Sequence, residues 1–289
     1  MIPAAFEYYS PTTLREALAI LRRYPGEAKV LAGGHSLLPM MKLRLAQPSH
    51  LVDLRRIGEL AYIREQDGGL AIGPMTTYQM LESSLLVQQQ APALAEAAGV
   101  VGDLQVRNKG TIGGSLAHAD PGADLPAMML ALEARIHTTG GRRVRSIPAG
   151  RFVVDVFTTA LAETEVITEI FLPALPARTG GAYQKFANKA SHFAVAGAAA
   201  FITLDGQGNC QRVRLGITGA GPRPVRARVA ERSLTGKAPS DRNLEEAARR
   251  ATAGIDFLSD LHASAEYREH LTWVMSARVL SQAVSRARG

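Results

Sequence analysis

The sequence has little of the side-chain chemistry that metal and redox proteins usually carry themselves. Cys210 is the only cysteine, which excludes an internal disulfide, a CxxC redox pair and an iron–sulfur cluster bound by this chain. The histidines form no HxxxH or HExxH pattern, so a metal site built on them is not expected. Redox chemistry here would therefore need an organic cofactor, and Cys210 is expected to pack in a core.

Long apolar runs and aromatic clusters are also scarce. The longest apolar stretches, such as residues 193–204, are about half the roughly 20 residues of a membrane span, and the N-terminus lacks the charged and apolar regions of a signal peptide. Aromatic residues make up 6% of the chain, and its net charge of +7 is spread along it. We expect no membrane span and no exported segment. Nucleic-acid binding is kept only as the less favoured alternative.

Two common catalytic motifs are missing as well. The chain contains neither a GxxxxGK[ST] phosphate loop nor a GxSxG nucleophile elbow, which removes the usual sequence evidence for nucleotide hydrolysis and acyl transfer. The overall composition, with 46% hydrophobic and 20% charged residues, is typical of a folded globular protein. A chain of 289 residues usually forms more than one core, so two or three packed units are expected.

Three units follow from the order of the predicted strands and helices. Residues 1–57 are predicted to form a small βαβ-like module, with a helix over residues 13–23 that starts at a Thr-x-x-Glu capping box. Residues 58–175 hold a predicted hairpin and a helix over residues 123–132. Residues 176–289 follow a proline-containing linker and combine a predicted strand pair with two amphipathic helices, so this unit is expected to be α+β.

Two Gly-Gly turns are the most informative local features. They are Ala32-Gly33-Gly34-His35-Ser36 and Thr111-Ile112-Gly113-Gly114-Ser115. Without Cβ atoms the backbone can approach a phosphate, and successive N–H groups can form an anion-binding nest beside the hydroxyl side chains. One such turn alone is more often an ordinary tight turn. Two of them, on adjacent units, predict a diphosphate held between those units.

A pair of acidic residues follows the second turn. Asp120 and Asp124 flank Pro121-Gly122, and this spacing suits either acid–base chemistry or capping of the next helix. Capping is the favoured interpretation for at least one of the two carboxylates, because aspartate is among the preferred residues at the start of a helix. No other set of side chains in the sequence competes with the two glycine turns as a site of chemistry.

The two turns also carry a resemblance to a known family. Residues 32–36 followed by Leu-Leu-Pro-Met-Met-Lys, residues 111–115, and Ala-Asp-Pro-Gly-Ala-Asp at 119–124 resemble the FAD-binding medium subunit of the xanthine dehydrogenase, or molybdenum hydroxylase, family. Within it, the chain is most similar to the medium subunits of aerobic carbon monoxide dehydrogenases. The likeness covers nearly the whole chain, and motifs in this order and at this spacing are specific to the family.

The resemblance implies both a fold and a cofactor site. The implied fold is α+β: two units form a FAD-binding cleft of the vanillyl-alcohol-oxidase (PCMH) type, and the C-terminal domain has a small antiparallel sheet and helices. Residues 29–37 would wrap the FAD pyrophosphate, and residues 111–115 would approach the same cofactor. No catalytic residue and no metal ligand is implied. The implied cofactor-binding residues are Lys29, Val30, Leu31, Ala32, Gly33, Gly34, His35, Ser36, Leu37, Val101, Thr111, Ile112, Gly113, Gly114, Ser115, His118, Asp124, Ile167, Lys185 and Phe193.

Two positions depart from the pattern of the carbon monoxide dehydrogenase subunits. Ser115 stands where an asparagine is usual, and His192-Phe193 stands where Asp-Tyr is usual. FAD binding is expected to survive the first change, and the second implies a more apolar flavin face. In the resemblance Lys185 and Phe193 lie at the flavin, whereas the residues alone favour a surface charge for Lys185 and a core position for Phe193.

The implied function is electron transfer. The chain would carry FAD, take electrons from a [2Fe-2S] small subunit, and pass them to a quinone, cytochrome or NAD. A molybdopterin large subunit would oxidise the substrate in a dimer of heterotrimers, and the complex would be cytoplasmic, with the inner face of the membrane as an alternative. The substrate would be carbon monoxide, with an aldehyde or an N-heterocycle as alternatives. A self-sufficient flavin oxidase of the same fold is less favoured, because the sequence offers no evident base except Lys185.

Overall fold

The first part of the chain is organised by a three-stranded parallel sheet. The computed structural model describes residues 2–141 and 143–289. Strands β1 (Glu7–Tyr9), β2 (Ala28–Leu31) and β3 (His50–Asp53) lie in the order β1-β3-β2, with helices α1 (Leu14–Arg23) and α2 (Leu37–Lys42). Parallel strands end on the same side of their sheet, so the turns that follow β2 and β3 are neighbours.

Helix α1 begins where the capping box predicts. The Thr13 hydroxyl accepts a hydrogen bond from the Glu16 backbone N–H at 3.2 Å, which satisfies one of the free donors at the helix start. Ala17, Leu18 and Leu21 are buried on the face toward the sheet. The predicted helix is therefore confirmed, with Thr13 as its cap and Leu14 as its first residue.

A five-stranded antiparallel sheet organises the second part. Its order is β4-β5-β10-β6-β7, and a separate pair joins β8 and β9. The strands are β4 (Ile63–Gln66), β5 (Gly69–Ile72), β6 (Arg135–Thr139), β7 (Val144–Pro148), β8 (Val153–Asp155), β9 (Thr158–Thr159) and β10 (Val166–Leu172). The predicted hairpin is confirmed between β4 and β5, where Asp67 and Gly68 both have positive φ, as a tight two-residue turn requires.

Six helices follow one another in the chain between β5 and β6 of this second sheet. They are α3 (Tyr78–Ser83), α4 (Leu85–Gln90), α5 (Pro92–Gly99), α6 (Leu104–Lys109), α7 (Ile112–His118) and α8 (Asp124–Ala131). Every residue of α8 is buried, because α8 packs against the C-terminal sheet and against α5 and α7. The helix that was predicted over residues 123–132 is thus present and one residue shorter at each end.

The third part is an antiparallel sheet backed by a long helix. Strands β11 (Thr179–Ala187), β12 (Ala194–Leu204), β13 (Cys210–Thr218) and β14 (Val225–Arg226) pair in sequence order. The helices are α9 (Arg228–Leu234), α10 (Asp241–Arg250) and α11 (Ala265–Arg288). All residues of β12 are buried between α8 and α11. The α+β class is confirmed, and Cys210 packs in this core as expected.

The unit boundaries stay a proposal. The three sheets span residues 7–53, 63–172 and 179–226, so the proposed boundaries at 57/58 and 175/176 fall between sheets. Across the second of these boundaries, Glu133 lies in the left-handed region at φ 54° and contacts three arginines, Arg212, Arg214 and Arg226. In the described part of the chain, no helix combines the length and the apolar character needed to cross a bilayer.

Candidate functional site

A cleft of about 310 Å³ lies between the first sheet and the helices of the second part. It receives residues 31–34 from the turn after β2, Arg55 from the turn after β3, and Lys109 and Thr111 from the opposite wall. Arg55 and Lys109 are the charged side chains in its lining, which includes no carboxylate. The cleft therefore carries two positive charges, and an anion is its natural ligand.

The first glycine turn has free backbone donors. Gly34 adopts φ +81°, and Leu38 donates to its carbonyl at 3.0 Å, which closes the turn into α2. Across the residues that the structure describes, the backbone N–H groups of residues 33–36 donate to no protein acceptor. A left-handed residue within a run of free N–H groups is the geometry of an anion-binding nest.

The second glycine turn is built differently. Thr111 caps α7 by accepting from the Gly114 N–H at 3.1 Å, while Ile112 donates to the Thr76 carbonyl at 3.0 Å and Gly113 to the Pro74 carbonyl at 2.9 Å. These donors are already used within the protein. The expectation of a second backbone nest over residues 111–115 is therefore wrong, because helix starts and anion nests favour the same glycine and hydroxyl residues.

The two turns nevertheless meet. A Cβ placed on Gly33 would lie 2.2 Å from the Lys109 carbonyl oxygen and 2.8 Å from the Gly110 Cα, so the first turn rests directly on the backbone of the second unit. A Cβ on Gly114 would lie 3.6 Å from the Ala32 Cβ. The expectation that the turns come together between adjacent units is supported at the level of backbone contact.

Two polar side chains lie on α7, Ser115 at the end of the second turn and His118 at the end of the helix. Ser115 lies beside Tyr78, and burial raises the pKa of that phenol to about 12, with the Ser115 hydroxyl acting in the opposite direction. Burial lowers the pKa of His118; Asp120, 3.9 Å away, opposes the shift, and Lys29 of the first unit adds to it. His118 therefore lies where the first and second units face each other.

A buried ion pair joins the second and third units. Lys185 Nζ lies 2.9 Å from Asp124 Oδ2, and their side chains are 6% and 4% exposed. The same Nζ donates to the His192 carbonyl at 2.6 Å, and the Tyr183 hydroxyl donates to the other carboxylate oxygen. Burial raises the pKa of Asp124, and the Lys185 charge opposes that rise. The interpretation of Lys185 as a surface charge is wrong.

The expectation that at least one of the two aspartates caps α8 is also wrong. Asp120 accepts from the Gly122 N–H at 2.8 Å and so fixes the turn before α8, whereas the cap residue of α8 is Ala123, which makes no side-chain cap bond. The loop is held instead by Thr218 of the third unit, whose hydroxyl donates to the Ala123 carbonyl at 2.6 Å. Asp124 serves the ion pair.

Phe193 lies on the loop that Lys185 holds. Phe193 is 43% exposed, so the interpretation of Phe193 as a core residue is wrong. Its Cδ1 would be 3.3 Å from a Cβ at Gly122, and its carbonyl accepts from the Asn188 N–H at 2.9 Å. Through His192, whose carbonyl accepts from Lys185, the ring is positioned beside the loop at 119–124.

Two implied residues lie away from these groups. Ile167 on β10 is 4% exposed, and Val101 packs against the same core of the second sheet. Their surroundings are those of ordinary core residues. Their contact with a cofactor stays a prediction.

Arg55 is a charged residue that the sequence interpretation missed. The Asp53 carboxylate, which is fully buried, accepts from the Arg55 backbone N–H at 2.9 Å, from its Nε at 2.8 Å and from the Tyr8 hydroxyl at 2.6 Å. Burial alone would raise the pKa of Asp53, but these bonds lower it below its usual value. An aspartate at a strand end with an arginine two residues later is the signal that was available.

These residues fit a dinucleotide. The free N–H groups of the first turn and the two cations suit a diphosphate, while Ile57, Met75 and Met80 give the same cleft an apolar portion. Within residues 2–141 and 143–289, no three histidine, cysteine, aspartate or glutamate side chains converge as a metal site.

Comparison with known proteins finds relatives that match nearly the full length of this chain. Residues 4–175 match the FAD binding domain in molybdopterin dehydrogenase, and residues 181–283 match the CO dehydrogenase flavoprotein C-terminal domain. The carbon monoxide dehydrogenase medium chain of Hydrogenophaga pseudoflava is 42% identical, covering 99% of this chain and 99% of its own. The 6-hydroxypseudooxynicotine dehydrogenase complex subunit alpha of Paenarthrobacter nicotinovorans is 38% identical, covering 100% and 97%.

A solved structure shows the same likeness in three dimensions. It is the carbon monoxide dehydrogenase from Hydrogenophaga pseudoflava that lacks the Mo-pyranopterin moiety of the molybdenum cofactor. Its matching chain has a TM-score of 0.96 at 44% identity, with 99% of both chains covered.

Proposed function

We propose an electron-transfer role for this chain, which belongs to the family of FAD-binding medium subunits of the molybdenum hydroxylases. It is an oxidoreductase subunit of the carbon monoxide dehydrogenase type and binds FAD. A bound flavin supplies the ability to accept electrons singly and release them singly or in pairs, while the protein supplies binding, orientation and polarity. In the proposed role, electrons arrive from a [2Fe-2S] subunit and leave to an external acceptor.

The cleft between the two glycine turns carries this proposal. It offers an anion cradle and two cations, and its lining contains no carboxylate or histidine that could exchange a proton with a substrate. A cleft that is equipped to hold the charged part of a dinucleotide, and has no acid–base group of its own, is suited to bind a cofactor for electron transfer rather than to transform a substrate there. A self-sufficient flavin oxidase is disfavoured by a separate observation, because Lys185, the candidate base, is buried and bonded to Asp124.

Each group of residues has a proposed role around the cofactor. The backbone over residues 29–37 binds the pyrophosphate, and the side chains of Ser115 and His118 approach the cofactor from α7. Lys185, neutralised by Asp124, fixes the loop that carries Phe193. The Phe193 ring lies at the flavin in this proposal and excludes water from it.

The proposed assembly is a dimer of heterotrimers in the cytoplasm. An iron–sulfur small subunit and a molybdopterin large subunit are the partners, and a quinone, cytochrome or NAD is the acceptor. Carbon monoxide is the first candidate substrate, because a carbon monoxide dehydrogenase medium chain is 42% identical to this one. An N-heterocycle or aldehyde stays a second candidate, because the alpha subunit of a 6-hydroxypseudooxynicotine dehydrogenase complex is 38% identical over a similar length.

Cofactor analysis of the separated subunits tests the role. We expect FAD to stay with this chain in equimolar amount, while iron and molybdenum stay with the other subunits. Rapid mixing of the complex with carbon monoxide, and separately with an N-heterocycle, should reduce the flavin only when the partner subunits are present. Equally fast reduction of the flavin in the isolated chain would instead establish a self-sufficient oxidase, and iron that remains with this chain would contradict the proposal.

Replacement of Gly114 by Val tests the side of the site formed by α7. Its Cβ would lie 2.8 Å from the Thr111 hydroxyl and 3.6 Å from the Ala32 Cβ. The Thr111 side chain must therefore shift, but no backbone atom stands in the way, and we expect the chain to fold. The added branches would enter the space between the two turns, and we expect FAD occupancy in the purified protein to fall severalfold, as measured by absorbance.

The control for this variant needs a residue outside the unit contacts. Arg286, a basic residue near the C-terminus, is unsuitable as a control. It bonds Glu96 of the second unit at 2.7 Å, as well as the Gly181 carbonyl of its own unit at 2.8 Å. Exposed Arg278 on α11 is the better choice, and Arg278→Ala should keep full occupancy. Full occupancy in a folded Gly114→Val protein would remove this side of α7 from the site.

A further inference from the structure

Arg55 is held at the cleft by a buried carboxylate, and this arrangement points to a ligand. We infer that Arg55 binds the diphosphate of the adenosine-diphosphate half of FAD and that Asp53 is the residue that positions it. The inference rests on the proposed function and deepens it, because it names the side chain that recognises the charged part of the cofactor. Neither residue belongs to the two glycine turns.

The anchoring of Arg55 leaves part of its guanidinium unused. Nε donates to Asp53 Oδ2 at 2.8 Å, and Nη2 lies 2.6 Å from the same oxygen. A guanidinium has five N–H donors in a rigid fork. Over the residues that the structure describes, Nη1 donates no hydrogen bond, and the hydroxyl of the neighbouring Tyr8 is itself bonded to Asp53. A guanidinium fixed on one edge and open on the other is already oriented for a phosphate oxygen, which lowers the entropy cost of binding.

The strand register places Arg55 beside the free donors of the first turn. Leu31 is paired with Asp53 in the parallel sheet, so the chain leaves β2 and β3 at the same level. Two residues after Leu31 the chain reaches Gly33, and two residues after Asp53 it reaches Arg55. Both line the cleft, so backbone N–H groups and a fixed cation are offered to the same ligand.

Charge balance favours a diphosphate over a neutral ligand. Arg55 and Lys109 are the two cations of the lining, and no acidic side chain joins them there. The diphosphate of FAD carries two negative charges at neutral pH, which these two residues would balance. Charge-assisted hydrogen bonds to phosphate are among the strongest in proteins, and arginine suits them better than lysine does.

A purely structural role for Arg55 explains less. In that alternative Arg55 only neutralises Asp53, whose carboxylate already accepts from Tyr8 and from a backbone N–H. The Arg55 side chain is 57% exposed although the Asp53 carboxylate is buried, so neutralising Asp53 uses one edge of the guanidinium and leaves the other edge, at the cleft, without a role. The adjacent Arg56 is also exposed, but it does not line the cleft. Arg56 is therefore a matched control of the same charge.

The test uses the full chain stripped of its flavin, with ADP, riboflavin and FAD as separate probes. Arg55→Met should raise the Kd for ADP and for FAD by about tenfold or more, since a hydrogen bond to a charged group contributes about 1.5 to 3 kcal/mol. Riboflavin, which has no phosphate, should bind as it does to the wild type. Arg56→Met should leave all three constants unchanged, and thermal unfolding verifies that each variant folds.

Two further variants separate charge from position. Arg55→Lys keeps the charge and loses the fork, so its Kd for ADP should lie between those of the wild type and Arg55→Met. Asp53→Asn keeps the Arg55 charge and removes its anchor. It should weaken ADP binding while the salt dependence of that binding stays as in the wild type, whereas Arg55→Met should flatten the salt dependence. A loss of stability alone would not change the ratio of ADP to riboflavin affinity.

The outcomes distinguish this inference from the proposed function. If the stripped wild type binds FAD and Arg55→Met binds ADP with an unchanged Kd, Arg55 does not bind the diphosphate. An equal loss of ADP affinity in Arg56→Met would mean that only the overall charge matters, and this too would overturn the inference. If the wild type takes up no FAD, the proposed function itself fails, and the inference fails with it.

Discussion

Replacing Lys185 by Met is expected to destabilise the protein by about 3 to 5 kcal/mol, the usual effect of removing one partner from a buried ion pair. Lys185 Nζ lies 2.9 Å from Asp124 Oδ2, and both side chains are almost completely buried. Met matches the length of the lysine side chain but leaves the carboxylate without a cation. Thermal or urea unfolding of Lys185→Met against the wild type measures the loss.

The loss should depend on pH with a defined sign. Burial already raises the pKa of Asp124, and Lys185 opposes that rise, so the Met variant should have a still higher folded-state pKa. A carboxyl group whose pKa is higher in the folded state than in the unfolded state destabilises the fold as pH rises above the unfolded value, about 4 for aspartate. The difference from the wild type should therefore grow from about pH 4 toward pH 7.

A double variant provides the control. Lys185→Met combined with Asp124→Asn removes the buried charge altogether, and it should recover much of the lost stability and abolish the extra pH dependence. Asp124→Asn alone leaves Lys185 buried beside a neutral amide and should be destabilised in turn. If Lys185→Met unfolds like the wild type at pH 7, the side chains do not form the buried pair.

The same pair changes what is expected of the flavin. The resemblance places Lys185 near the flavin, where a lone cation would stabilise negative charge on the reduced ring. Asp124 neutralises that cation, so the pair contributes little net charge. We expect Lys185→Met to lower the flavin midpoint potential only as far as Asp124 stays ionised, and the decrease should grow with pH. Potentiometric titration at two pH values measures this.

The sequence predicted local elements well, because their causes are local. The Thr13 capping box and the turn at Asp67-Gly68 depend on residues within a few positions of one another, and both are confirmed. The Lys185 pair could not be predicted in this way. Asp124 is 61 residues away in the chain and lies on another unit, so only tertiary packing brings the two charges together.

The glycine turns show where a pattern is ambiguous. Residues 32–36 and 111–115 look alike in sequence, yet only the first has a run of consecutive free N–H groups. The second is fixed by the carbonyls of Pro74 and Thr76, which are distant in the chain. Small and hydroxyl residues suit a helix start as well as an anion nest, and the partners of the N–H groups decide between the two. Those partners lie outside the motif.

Gly33 is expected to tolerate no side chain at all. Its φ lies outside the left-handed region, so conformational freedom is not the reason for a glycine here. The reason is space, because a Cβ would lie 2.2 Å from the Lys109 carbonyl oxygen. Both segments of the chain present backbone atoms at this contact, and neither can relax by a rotamer change. Gly33→Ala must therefore move the first unit away from the second.

We expect Gly33→Ala to lose about 3 kcal/mol of unfolding free energy, toward the upper end for overpacking, together with most of its bound FAD. The two losses have one cause, since the contact that would be forced apart is also the wall of the cleft. Unfolding in urea and absorbance of the purified protein measure them in the same sample. Gly206→Ala is the matched control, because nothing lies within 4 Å of its Cβ position, and it should change stability by less than about 0.5 kcal/mol. A Gly33→Ala protein with the stability and the flavin absorbance of this control would show that the first turn does not contact residues 109 and 110. The FAD-binding cleft would then have to lie elsewhere in the protein.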